Sequence, residues 1–220
     1  MLHQVALDHR VLGENDEAAG AWRKCVAAEP SFAKGYYNLG VLCFEKGDRD
    51  KAEENWLKAV QLAEDFAQAQ YNLGLVHHLR DDYVRAREQY LKVQAIDPTH
   101  IKSYINCGLA CWKAGEHDAA ILQWREATRI DRPESAVAYY NLGQAAAEAG
   151  DIDEATTMWE AAEKLNPDDP AAHYNLAVVY SDRGDIDTAI DQLENAVSLD
   201  PDFNQARHLL RRLYRRRRGG

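Results

Sequence analysis

Five asparagines, Asn38, Asn72, Asn106, Asn141 and Asn175, recur at near-equal intervals, each directly after a Tyr or Ile and just before a Leu-Gly, Cys-Gly or Leu-Ala pair. Only the step from Asn106 to Asn141 is longer than the others, by a single position. A fixed period of about 34 residues means that one structural unit has been copied along the chain, and it overrides what chain length would otherwise suggest about domain count. Contacts then run mainly between neighbouring units. Windows beginning at Ala33, Ala67, Ile101, Ala136 and Pro170 align with a single extra residue near Arg132 to Ser135, and a shorter window covers Met1 to Phe32. The expected units are 1–32, 33–66, 67–100, 101–135, 136–169 and 170–203, followed by a segment 204–220.

Each window holds two amphipathic helical patterns separated by a polar turn such as Lys46-Gly47-Asp48, Ala114-Gly115-Glu116, Ala149-Gly150-Asp151 or Arg183-Gly184-Asp185. Glycine stops the first helix and the acid starts the second. Small residues fall where the two helices approach: Gly40, Gly74, Gly108, Gly143 and Ala177 on the first, Ala18, Ala52, Ala86, Ala120, Ala155 and Ala189 on the second. Trp22, Trp56, Tyr90, Trp124, Trp159 and Leu193 occupy equivalent second-helix positions and are core residues. Pro30, Pro98, Pro167 and Pro201 close their units, because proline cannot continue a helix. In Asn204 to Arg218, Leu209, Leu210, Leu213 and Tyr214 form an apolar stripe suited to covering the end of the last unit.

This pattern of an aromatic, Leu-Gly, an aromatic, Ala, an aromatic and a terminal Pro resembles the tetratricopeptide repeat (TPR) family over nearly the whole chain. The departures are Glu64 and Arg132 where proline is expected and Cys107 in place of Leu. The resemblance implies an all-α, right-handed α-solenoid of antiparallel helix pairs, about six repeats plus a C-terminal capping helix. It also implies a non-catalytic scaffold or adaptor whose concave face, lined by the first helix of each pair, holds an extended peptide of a partner protein. On those helices the residues that alternate with the packing positions are Tyr37, Asn38, Val41 and Phe44, then Tyr71, Asn72, Leu75 and His78, then Ile105, Asn106, Leu109 and Trp112, then Tyr140, Asn141, Gln144 and Ala147, and last Tyr174, Asn175, Val178 and Ser181.

An asparagine amide offers both a donor and an acceptor, so a row of them can follow a peptide backbone without reading its side chains. In the family, asparagines in this place contact bound peptide; the other role open to them is a bond to a neighbouring helix. Trp112, the one tryptophan outside the second-helix series, is either a groove anchor beside Phe44 and His78 or a residue packed between first helices. The family's carboxylate clamp for chaperone tails is not reproduced, since Tyr37 and Val41 stand where it requires Lys and Asn.

Net charge is −10, but Asn204 to Gly220 holds seven arginines and no acid, leaving residues 1–203 with 19 basic and 36 acidic residues, a balance of −17. The body therefore repels nucleic acid and anionic lipid. Three roles are open to the arginine tail: a solubilising helix end that suits the macrodipole, a contact with an acidic surface, or a tether to RNA or membrane. No P-loop, GxSxG, HExxH or dinucleotide fingerprint occurs, so no enzyme, cofactor or metal is expected. Cys25, Cys43, Cys107 and Cys111 lack zinc-ligand spacing and read as buried free thiols. Met1 to Arg10 lacks the features of a secretory signal and no apolar run approaches a membrane span, which favours a cytoplasmic location. Two other readings are self-assembly through an incomplete first repeat and a targeting region of a larger enzyme.

Overall fold

The computed structural model describes residues 1–130 and 132–219. Among them it contains helices and no strands. They divide into two compact units, Met1–Glu116 and His117–Gly220. The first unit consists of α1 (Leu2–Val11), α2 (Asn15–Ala28), α3 (Ala33–Glu45), α4 (Arg49–Leu62), α5 (Ala67–His78), α6 (Tyr83–Ile96) and α7 (Ile101–Lys113). The second holds α8 (His117–Thr128), α9 (Ser135–Glu148), α10 (Ile152–Leu165), α11 (Pro170–Asp182), α12 (Ile186–Leu199) and α13 (Asn204–Gly219). Within each, first helices pack against their own second helices, and second helices against the first helix of the next pair. This is the antiparallel helix-pair solenoid expected from the period.

Local chemistry sets the ends of these helices. Gly47 and Gly150 adopt φ of +82° and +84°, a conformation that side chains disfavour, and the next residues, Asp48 and Asp151, accept the backbone N–H of Lys51 and Glu154 at 3.2 and 2.9 Å. The α5–α6 turn performs the same reversal without glycine: Asp81 sits at φ +59° and Asp82 caps α6. Proline is not required at the other end. Helix α4 stops at Leu62, with Ala63 already extended at φ −146°, although Glu64 follows in place of proline. The helix terminates because the residue after it leaves the helical region, and proline in the other repeats reinforces that departure.

The packing positions are filled as expected. Trp22, Trp56, Tyr90, Trp124, Trp159 and Leu193 are all buried, together with the six second-helix alanines. Close approach explains the glycines: a Cβ on Gly40 would lie 2.5 Å from the Trp56 indole, and one on Gly143 would lie 2.5 Å from that of Trp159. The thiols need one correction. Cys25, Cys107 and Cys111 are buried and free, but Cys43 is only half-buried, because it lies on the flank of α3. Cys107 donates to Cys111 one turn away, which holds the Cys111 thiol below its ordinary value, and Arg87 reinforces the effect.

Exposed ion pairs repeat with the fold. Lys46 pairs with Asp16, Arg80 with Asp50, Arg183 with Asp153 and Arg217 with Asp187, each cation 30 residues after its acid. Exposed pairs add little stability, so these mark register more than they supply energy. The last of them belongs to α13, whose Ala206, Leu209 and Leu213 are buried with Ile190, Leu193 and Ala196 of α12, while Leu210 and Tyr214 pack partly buried at the margin.

Candidate peptide-interaction face

On the first unit, the candidate face is carried by α3, α5 and α7. Tyr37, Asn38, Val41, Phe44, Tyr71, Asn72, Leu75, His78, Asn106, Leu109 and Trp112 are all half-buried, the exposure of residues that line a surface while leaning on a core. On the second unit, Asn141 and Asn175 are half-buried in the same way on α9 and α11, whereas Ile105 on α7 and Ser181 on α11, expected on the same faces, are buried.

The rings are less free than the sequence suggests. Phe44 packs on Trp56 with centroids 5.7 Å apart, and His78 stands edge-on to Tyr83 at 5.4 Å, so both turn toward their own second helices rather than toward each other. Burial pulls the His78 pKa below the ordinary imidazole value. Tyr37, Tyr71 and Tyr174 each lean on an aromatic ring that immediately precedes the next first helix, Phe66, His100 and Phe203, at 4.9 to 5.0 Å. These tyrosines therefore staple one repeat to the start of the next.

The asparagines divide by what their amides meet. Asn106 Nδ2 donates to the Tyr71 hydroxyl at 2.8 Å, and Asn175 Nδ2 donates to the Gln144 Oε1 at 3.0 Å and to the Tyr140 hydroxyl at 3.4 Å. Burial raises the pKa of both tyrosines, keeping the hydroxyls neutral, while the asparagine bond works in the opposite sense. In each case the acceptor tyrosine stands 35 residues earlier, on the preceding first helix. Asn141 Nδ2 is buried without a partner. Asn38 and Asn72 make no side-chain hydrogen bond among the described residues.

Sequence reading placed Tyr71, Tyr140 and Gln144 near the asparagines but missed their role as acceptors. The signal was present, because the residue before each asparagine is itself periodic and phenolic at Tyr37, Tyr71, Tyr140 and Tyr174. Among the described residues no group of three or more His, Cys, Asp or Glu side chains is arranged to hold a metal, and no helix is long and apolar enough to cross a membrane.

Antiparallel helix pairs repeated at a period of about 34 residues, with glycine facing an aromatic in successive pairs, define a helical repeat protein of the protein-interaction class. Models of the tetratricopeptide repeat match residues 40–81, 67–100, 108–157 and 140–202, and the chain belongs to that family. Among solved structures it is similar to MamA (27% identity, TM-score 0.69, covering 74% of this chain and 95% of that one). It is also similar to YrrB, described as a TPR protein with an unusual peptide-binding site (23% identity, TM-score 0.67, 87% and 98%). Pseudomonas aeruginosa pilF shares the fold at 20% identity and a TM-score of 0.73, with 83% of each chain covered. A search of curated protein sequences finds no match.

Proposed function

We propose that this protein is a non-catalytic scaffold that holds an extended peptide of a partner along the first-helix face of its first unit. The observation that carries this reading is the state of Asn38 and Asn72. Both are half-buried among Tyr37, Val41, Tyr71 and Leu75, yet neither amide is used by the fold. An amide in that position pairs with the N–H and C=O of an extended strand. Asn106 contributes its remaining acceptor, since its Nδ2 is bonded to Tyr71. Each such bond is worth about 0.5–1.5 kcal/mol, so the apolar neighbours and Trp112 must supply the rest of a useful affinity. The likeness to YrrB, described as a TPR protein with an unusual peptide-binding site, supports a peptide ligand.

The test compares affinity capture from native extract by the wild type and by an Asn38→Ala, Asn72→Ala, Asn106→Ala triple variant. The variant is expected to lose the partners that the wild type retains; equal recovery by both would reduce the asparagine row to a structural element. A second reading rests on a different observation. Met1, Leu2, Val5, Val11 and Leu12 are exposed on and beside α1, an apolar end that a second copy would cover. Light scattering across a dilution series checks it, and a mass that stays monomeric would remove it.

A further inference from the structure

A groove of about 480 Å³ opens within the second unit between α11 and α13. Its floor is Tyr174, Val178 and Leu209; His208 and Arg212 form the wall on α13, and Asp182 faces them from α11. Leu209 stands one repeat beyond Asn175, so the asparagine row ends here in an apolar side chain. Arg212, Arg215 and Arg216, at i, i+3 and i+4, lie on or next to the side of α13 that lines the groove. Arg207, Arg211 and Arg218 lie further round the helix, opposite the buried Ala206, Leu209 and Leu213. Of the seven arginines, Arg217 pairs with Asp187 and half-buried Arg207 reaches the Pro201 carbonyl. Arg211, Arg212, Arg215, Arg216 and Arg218 are exposed and make no ion pair among the described residues. Elsewhere the arginines at the repeat turns, Arg80 and Arg183, are paired.

From this we infer that the α11–α13 groove and the arginine face beside it form a second docking site, for a short acidic segment of a partner protein that carries one apolar residue. The apolar side chain fills the floor at Val178 and Leu209, and the acids that follow it lie along the arginines. From His208 to Arg216 the groove side of α13 spans about 12 Å at 1.5 Å per residue, the reach of roughly four extended residues. Three features favour a short peptide over a nucleic acid or an anionic membrane. The rest of the chain carries −17 and repels a long polyanion or a charged plane. The groove floor has no use for a phosphate backbone. Tyr214, the single Phe, Tyr or Trp of α13, is half-buried and bonded to Glu194, so the helix offers base stacking only the imidazole of His208. Asp182 on the opposite wall fixes polarity, accepting peptide N–H groups while the acids face α13.

The experiment uses the full chain and fluorescence anisotropy with a labelled decapeptide of Glu and Asp bearing one leucine, a version with serine for leucine, single-stranded RNA, and phosphatidylcholine vesicles with and without phosphatidylserine. The leucine peptide is expected to bind best, and the serine version about tenfold more weakly. The Arg212→Ala, Arg215→Ala, Arg216→Ala variant should lose at least about tenfold and show a flatter dependence on salt. Those side chains are exposed, so their removal leaves the fold intact. The Asn38, Asn72, Asn106 triple variant should bind the decapeptide as the wild type does, which separates this site from the proposed groove of the first unit. Undiminished binding by the arginine variant, no preference for leucine, no peptide binding, or tighter binding of RNA or anionic vesicles would each overturn the inference.

Discussion

Trp56 in the first unit and Trp159 in the second occupy the same position of the repeat and press on glycine at the same distance, yet their indole N–H groups fare differently. Trp56 Nε1 donates to the Tyr37 carbonyl at 3.0 Å, whereas Trp159 Nε1 is buried without a partner. Steric fit is therefore copied faithfully from repeat to repeat while polar satisfaction is not. Void volume penalises every copy alike, but a single unmade hydrogen bond is tolerated where the rest of the repeat is sound. The same division holds on the surface. Cores are interchangeable between units, while the first-helix faces are aromatic and apolar on α3 and α5 and become polar on α9, α11 and α13, where Gln144, Ser181, Asp182 and Arg212 stand.

The sharpest way to break this equivalence is to add a methyl group at the contact. Gly40→Ala and Gly143→Ala should each destabilise by about 1–3 kcal/mol in urea unfolding, and by similar amounts, because the obstacle is a buried indole ring in both. Markedly unequal losses would mean that the two contacts are not copies. Trp→Phe then exposes the polar difference. Trp56→Phe should cost about 1 kcal/mol more than Trp159→Phe, since it sacrifices a bond that Trp159 never makes and leaves the Tyr37 carbonyl one donor short.

A smaller effect of opposite sign is expected at Asp81, the turn position that other repeats give to glycine. Asp81→Gly should stabilise the first unit by up to about 1 kcal/mol, from relief at φ +59°, less the bond that Tyr83 makes to the Asp81 carboxylate. The smallest difference concerns acid. His3, His77, His78 and His100, all in the first unit, are held below the ordinary value of 6.5, with burial as the leading cause. As pH falls past that value the unfolded chain takes up these protons before the folded one does, so their contribution is intact above about pH 6.5 and lost progressively below it. Urea midpoints at pH 7.5 and 5.5 should drop with acid for the wild type and less for His77→Asn; an unchanged midpoint would refute it.

Most of the fold was legible in the sequence because repetition multiplies weak signals. A lone glycine near a tryptophan says little, but Gly40 with Trp56 and Gly143 with Trp159, in one register, specify a contact. The α5–α6 turn was harder to read, since Asp81 reaches its conformation without the glycine that announces it elsewhere. The candidate site was legible only as positions. The bonds from Asn106 to Tyr71 and from Asn175 to Tyr140 depend on which first helices lie side by side, and helical periodicity within one segment does not report a partner 35 residues away. The α11–α13 groove needed the structure for the same reason. Arginines were visible in the sequence, but not the apolar floor they border or the absence of acids opposite most of them.

Helix α13 docks by copied contacts. Tyr214 bonds Glu194 as Tyr180 bonds Glu160, and Arg217 pairs with Asp187 as Arg183 does with Asp153. Only its outward face has been rewritten, with Arg211 standing where first helices elsewhere carry Gly or Ala. A repeat duplicated between α12 and α13 would meet familiar surfaces on both sides, so this architecture can grow by internal insertion, one whole helix pair at a time, without redesign of its final helix.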